Sequence, residues 1–325
     1  MSQTKAPYII AEIGFNHGGN IDLAKEMIQA AADSGAEAAK IQTYLADELA
    51  LLSATHYELV KAGELDLDAH RDLFDFAKSI GITLFSTPFG PASVDLLEAV
   101  DTPIYKIASM DLNNSPFIEY IAKKKKPILL STGMSNLFEI QKSVQLIQEH
   151  SQANLALLHC VSHYPTKSED AFLKAIPILK NNFDLRIGFS DHTLGIECSI
   201  AAIALGARII EKHFTLDKTM KGPDHAISAD PAEMKRLVNA AKDIYTSIQP
   251  ETDLSNRPDL KEAGLFRRSI HTAKDIPQGT TIEESMLKAI RPGSGLPPCA
   301  VESMIGKTAA RDIPSDTLLT SSDLN

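Results

Sequence analysis

Eight short apolar runs, each followed by a longer stretch with helical spacing, fill the first 246 residues. They are YIIAEIG (8–14), AAKIQT (38–43), TLFSTPF (83–89), IYKIAS (104–109), PILLST (127–132), LALLHC (155–160), RIGFSD (186–191) and RIIEKHF (208–214). Runs of this length, rich in Ile, Val and Leu, read as strands. Between them, IDLAKEMIQAAADSG ends on a glycine, Gly35, suited to a helix C-cap, and PAEMKRLVNAAKDIYTSI follows Asp230 as N-cap with Pro231 in the first turn. Eight β/α units in about 240 residues predict an α/β fold, a (β/α)8 TIM barrel. The alternative, an open doubly wound sheet, usually carries a glycine-rich phosphate loop after its first strand. NHGGN at 16–20 lacks that GxGxxG spacing.

The alternation stops at about residue 247. Residues 247–267 are polar and broken by proline, which reads as a linker or wrapping segment. Residues 268–325 carry short strand-like runs and Pro/Gly turns, and predict a small β-rich domain after the barrel of residues 1–246. A module of that size without disulfides is marginal alone and is expected to pack on something larger.

With 32 basic and 42 acidic residues the net charge is 32 − 42 = −10, which argues against nucleic acid as the main partner. The cationic run Lys123–Lys126 precedes Pro127 and reads as a solvated helix end. Cys160, Cys198 and Cys299 are far apart with no CxxC spacing, as expected of a reducing compartment and no structural zinc. No signal-type segment opens the chain, and no apolar run reaches the ~18–20 residues of a membrane span. A cytoplasmic location without membrane partners is the expectation.

In a closed barrel the chemistry gathers at the C-terminal strand ends. Here those ends offer Glu12; Lys40 and Gln42; Ser86 and Thr87; Lys106, Ser109 and, just beyond, Asp111; Ser131 and Thr132; His159, then Ser162 and Tyr164; Ser190, Asp191 and His192; and Glu211 with His213. Alternate residues of a strand share a face, so Lys40 goes with Gln42, Ser190 with His192, and Glu211 with His213. A charged side chain on the helix-facing side would be costly without a partner, so the barrel mouth is the cheaper location. Lysines and hydroxyls suit a phosphate or carboxylate. Two histidines from neighbouring strands can hold a divalent metal with open positions, and carboxylates can move protons. Plainer readings stand beside these: core histidines, structural ion pairs of Lys40 and Lys106 with Glu12 or Glu211, turns at 131–133 and 163–166, and loop or cap roles for His17 and His225.

The segments AEIGFNHGGN, KIQT, FSTPF, KIAS, STGMS, HCVSHYPT, GFSDHTLG, EKHFTLDKTMKGPDH and the late RPGSG occur in an order and spacing that resembles the sialic acid synthase family, over about residues 7–323. That family includes N-acetylneuraminate, legionaminate and pseudaminate synthases, and residues 268–325 are similar to its antifreeze-protein-like (SAF) domain. The resemblance implies condensation of phosphoenolpyruvate with an N-acetylated hexose such as N-acetylmannosamine, giving a nonulosonic acid and phosphate. It implies Mn2+ or Mg2+ on His192 and His213. It implies phosphoenolpyruvate on Lys40, Thr87, Lys106, Ser109, Ser131 and Ser190, and sugar on Gln42, Tyr164, Asp224 and Arg291. Arg291 would come from the partner in a domain-swapped homodimer, and Glu12 and Asp111 would transfer protons.

The chain departs from the family pattern at several points. Asp111 stands where Glu is usual, Ser162 near a usual Asn, and Gly90 where an acidic residue often follows TPF. The stretch between Gln42 and Asp68 looks shortened and lacks a lysine-rich portion. These changes bear on the sugar, and leave open a diacetylated substrate or a catalytically weakened sugar-acid binding homologue. A metal-dependent hydrolase or sugar-phosphate isomerase on the same barrel would be expected to place an HxH pair after the first strand, where only His17 occurs.

Overall fold

The structure is a computed structural model and describes residues 6–49, 53, 57–248 and 253–325. Eight parallel strands close into a barrel in chain order: β1 (Tyr8–Gly14), β2 (Ala38–Thr43), β3 (Thr83–Pro88), β4 (Tyr105–Ile107), β5 (Ile128–Ser131), β6 (Leu155–Cys160), β7 (Arg186–Asp191) and β8 (Ile209–His213). Closure is made by β1 against β8, with Glu12 opposite His213. The connecting helices are α1 (Ile21–Asp33), α2 (Ala46–Leu49), α3 (Tyr57–Ala62), α4 (Leu67–Ile80), α5 (Pro91–Ala99), α6 (Ser115–Ala122), α7 (Leu137–His150), α8 (Ala175–Asn182), α9 (Glu197–Ala204) and α10 (Pro231–Ser247). Local signals explain their ends. Asn136 and Glu139 form a reciprocal capping box at α7, and Asp230 and Glu233 form another at α10, where Pro231 starts the helix. The C-cap of helix α1 is Ser34, one residue before the expected glycine, and Gly35 follows at φ +86°.

The period of two along each strand sorts side chains into two cores. Outward residues such as Ile9, Ile41, Ile107, Leu130, Leu157 and Ile210 pack on the helices. Inward residues Ile10, Ala38, Phe85, Ile104, Leu129, Ala156, Leu158 and Ile209 form a separate apolar plug. Gly188 sits on the inner face of β7, where a Cβ would come within 2.5 Å of Leu158 Cδ2 and 2.6 Å of the Ile209 carbonyl oxygen, so no larger residue fits.

The same parity corrects four expectations. Ser86, Thr132, His159 and Asp191 do not join the mouth, because each lies one residue out of step with its inward neighbours. Thr132 Oγ1 donates to the Leu158 carbonyl at 3.2 Å. Ser86 donates to the Ile41 carbonyl at 3.0 Å and meets Thr43, which also contacts His70. His159 Nε2 donates to the Ala171 carbonyl at 2.8 Å, and its ring stacks on Phe189 at 5.5 Å. Asp191 is buried with Lys212, whose Nζ lies 3.1 Å from Oδ2 and donates to the Thr193 carbonyl at 2.8 Å. Thr193 N and Oγ1 and Ser199 Oγ complete that carboxylate's bonds. A lysine does therefore occupy the helix-facing side, with the partner that such burial requires.

The chain divides into two compact units, residues 1–249 and 250–325. In the second, residues 254–266 form short helical turns, and β9 (Ser269–Thr272) pairs antiparallel with β10 (Leu287–Ile290). Ile270, Ile276, Ile282, Met304, Ala309, Ile313 and Leu319 make its own core. Among the described residues no helix is long and apolar enough to cross a membrane.

Lys212→Met should cost about 3 kcal/mol in urea denaturation, the low end for breaking a buried pair, because three hydrogen bonds to Asp191 survive. Adding Asp191→Asn should recover part of that loss. A single variant as stable as the parent would mean that Asp191 is not held as a carboxylate.

Candidate active site

Two residues beyond the plug, the barrel interior changes character on every strand. Ile10 gives way to Glu12, Ala38 to Lys40, Phe85 to Thr87, Ile104 to Lys106, Leu129 to Ser131, Leu158 to Cys160, Gly188 to Ser190 and Ile209 to Glu211. All eight line one cavity of about 410 Å³, along with Gln42, Ser109, Tyr164, His192, His213 and Asp224.

The floor is an alternating set of buried charges. Lys40 pairs with Glu12, lies 3.7 Å from Glu211, and donates to Thr87 Oγ1 at 2.8 Å. Lys106 lies 3.5 Å from Glu211, which accepts from Ser190 Oγ at 2.8 Å. The environments separate the two carboxyls. Burial raises Glu12 to about 7, against the pull of Lys40. Burial also opposes ionisation of Glu211, but Lys106, Lys40 and the Ser190 hydrogen bond outweigh it and bring its carboxyl down to about 2. Burial lowers Lys106, whereas Lys40, equally buried, is held up by Glu12 and Glu211. Ser131 Oγ is buried without a hydrogen-bond partner among the described residues, and Ser109 Oγ accepts from Gly133 N at 3.0 Å.

Above the floor stand the two histidines, ring centroids 5.4 Å apart. His192 Nδ1 donates to the Val161 carbonyl at 2.8 Å, and although burial opposes its charge, the Cys160 thiol and that carbonyl raise its pKa above the usual imidazole value. Burial, reinforced by His192, holds His213 well below the usual imidazole range, so His213 is neutral. His213 Nδ1 is buried without a hydrogen bond, 3.5 Å from Asp224 Oδ2. Two imidazoles from neighbouring strands, His213 with an unpartnered Nδ1, fit a divalent cation that displaces the His192 proton, with its other positions open to water or substrate. No cluster of three or more such ligands is preformed among the described residues. The Tyr164 ring covers the pair, 4.1 Å from His192 and 5.9 Å from His213.

One of the sequence-derived residues, Asp111, lies outside the cavity lining, although Ser109 and Met110 of the same turn belong to it. Its Oδ2 is buried and unpartnered among the described residues, and burial raises its pKa. Arg291 belongs to the second unit, where its guanidinium lies 5.4 Å from the Phe266 ring. Cys160, Phe15, Leu49, Phe89 and Met134 line the cavity without having been singled out. Parity along LALLHC could have found Cys160, two residues past inward Leu158. Leu49 carried no comparable signal, since it lies on an excursion between strands.

A model described as the NeuB family matches residues 27–252, and one described as the SAF domain matches residues 267–325. The chain is 39% identical to N,N'-diacetyllegionaminic acid synthase of Campylobacter jejuni, over 97% of this chain and 99% of that one. It is 38% identical to pseudaminic acid synthase of Campylobacter jejuni, over 98% and 97%. The solved structure of N-acetylneuraminic acid (sialic acid) synthetase from Leptospira borgpetersenii in complex with citrate matches with a TM-score of 0.76 at 37% identity, over 79% of this chain and 90% of that one.

The Glu12 carboxyl carbon, followed by 13C NMR, should titrate near pH 7, protonated below and ionised above. The signal should vanish in Glu12→Gln. A midpoint near the ordinary 4.5 would mean that Lys40 fully offsets burial.

Proposed function

Because the chain belongs to the NeuB family, we propose that it condenses phosphoenolpyruvate with an N-acetylated hexose to give a nonulosonic acid and phosphate. The observation that carries this reading is one cavity lined by Lys40, Lys106 and the hydroxyls of Thr87, Ser109, Ser131 and Ser190 together with His192 and His213. Lys40 and Lys106 supply point charges for the phosphate and carboxylate, and Thr87, Ser109, Ser131 and Ser190 supply hydroxyl donors. The methylene carbon of phosphoenolpyruvate attacks the open-chain aldehyde and forms the new carbon–carbon bond. A divalent ion, Mn2+ or Mg2+, held by His192 and His213 would polarise that aldehyde. Glu12, the carboxyl poised to exchange a proton near neutral pH, protonates the developing alkoxide. Water then adds to the cationic carbon, and the tetrahedral adduct expels phosphate. Asp111 remains a candidate for a proton-transfer role only through a change in its turn.

Gln42, Tyr164 and Asp224 stand where the sugar would lie. One feature favours a deoxygenated, diacetylated hexose over N-acetylmannosamine. Phe15, Leu49, Phe89, Met110 and Met134 make much of the wall apolar. Among the described lining residues the only fixed cations, Lys40 and Lys106, lie at the floor, which favours an unphosphorylated sugar. In the same reading the enzyme is a cytoplasmic homodimer, and Arg291 of one subunit contacts the sugar bound by the other.

Purified protein with Mn2+ and phosphoenolpyruvate should release phosphate only when the hexose is added, and EDTA should abolish release. A 2,4-diacetamido-2,4,6-trideoxyhexose should give the higher kcat/KM. His213→Ala should eliminate turnover while leaving the fold intact, and Arg291→Ala should raise the KM for sugar well above any change for phosphoenolpyruvate. Release without sugar, or undiminished turnover in His213→Ala at saturating metal, would overturn the assignment.

A further inference from the structure

Helix α5 starts without a cap of its own. Gly90, its N-cap residue, has no side chain, and Pro91 follows. The missing acceptor comes from another segment: Glu48 Oε1 accepts from Ala92 N at 3.2 Å, and Glu48 Oε2 accepts from Ser93 Oγ at 3.2 Å. The two positions exclude one another. A Cβ on Gly90 would lie 2.2 Å from Glu48 Oε2 and 2.3 Å from Cδ. Gly90 is extended, at φ −171° and ψ 169°, which any residue adopts. Its lack of a side chain therefore serves space, not backbone conformation.

The partner segment cannot hold itself. Helix α2 has four residues, too few for independent stability. It is fixed by outside contacts: Ala46 N with the Glu64 carboxylate, Asp47 with Tyr57 Oη, and Glu48 with α5. The next residue, Leu49, lines the cavity. Behind it, Leu49, Phe15 and Phe89 pack on a small core of Tyr44, Ala46, Tyr57 and Val60. The apolar wall is thus backed by an excursion of the chain whose attachment includes the Glu48–Gly90 contact.

We propose that Glu48 and Gly90 form a clasp that fixes Leu49 in the cavity wall, and that Leu49, with Phe15 and Phe89, selects a hexose presenting a deoxygenated, apolar face. Glu48 is a positioning residue, and Leu49 is the one that meets substrate. The substrate half of this inference rests on the synthase reading above.

The test measures kcat/KM for a 2,4-diacetamido-2,4,6-trideoxyhexose and for N-acetylmannosamine, with Mn2+ and phosphoenolpyruvate saturating, and follows amide hydrogen exchange over residues 46–49. Leu49→Asn should shift the ratio toward N-acetylmannosamine by about tenfold, the scale of one or two lost apolar groups, with the phosphoenolpyruvate KM unchanged. Glu48→Ala and Gly90→Ala should each shift it in the same direction and speed exchange at 46–49. Their double variant should do no more than either alone, because both break one contact. An unshifted ratio in Leu49→Asn, or single effects that multiply in the double variant, would overturn the proposal. If the wild type turns over neither sugar, the substrate half falls with the synthase reading, and the exchange data still decide the clasp: unchanged exchange in both single variants removes it.

Discussion

Two carboxyls and two ammonium groups share the floor of the barrel, all of them buried. Glu12, Lys40, Lys106 and Glu211 are each no more than 5% exposed, and each carboxyl faces at least one lysine. Such a set is tolerable only because its charges balance and its members sit on rigid strands in fixed register. The apolar plug directly beneath closes the other side, so the groups cannot relax toward the far end of the barrel. Any anion reaching Lys40 or Lys106 would have to compete with Glu12 and Glu211 for them. Glu211 is held anionic by Lys106, Lys40 and Ser190, whereas Glu12 is the carboxyl that burial favours in neutral form. Were Lys40 drawn away from Glu12, that carboxyl would lose its main counter-charge, and burial would favour its proton more strongly still.

The last two strands carry two separate charge systems on opposite faces. Ser190, His192, Glu211 and His213 face the cavity, while Asp191 and Lys212 between them face α9. The outer pair does more than satisfy itself. Asp191 accepts from Thr193 N, and Lys212 donates to the Thr193 carbonyl, so the backbone immediately after His192 is tied to β8, next to His213. The unusual run Glu211-Lys212-His213 reflects this division, with each ionisable group assigned by parity to a different environment.

That parity also marks how far the sequence can be read. The barrel was legible because eight apolar runs alternate with amphipathic stretches, and the run boundaries differ from the strands by only a few residues, as in β4, where Tyr105–Ile107 lies inside 104–109. Within a strand, the distinction between Lys40 with Gln42 and the intervening Ile41 follows from period two alone. Ser86, Thr132, His159 and Asp191 were misplaced because nearness to a strand's end was allowed to override that period. Lys212 was overlooked for a different reason. A buried lysine becomes favourable only with a specific partner 21 residues away, and nothing local announces the pair. The attachment of Glu48 to the start of α5 spans 44 residues and follows no periodicity, so it appears only in three dimensions.

Floor and wall consequently obey different constraints. The floor residues lie on strands hydrogen-bonded on both sides, where moving one side chain disturbs a balanced set of charges. Leu49 lies on a four-residue helix fastened by a few side-chain contacts, and its replacement disturbs no ladder and no ion pair. Gly90 illustrates the freedom this gives. An acidic side chain at that position could itself cap α5, but it would occupy the space of the Glu48 carboxylate and release the excursion. The choice between a cap from the residue before the helix and a cap from Glu48 is thus also a choice about how the apolar wall at Leu49 is fastened, and it leaves the charged floor untouched.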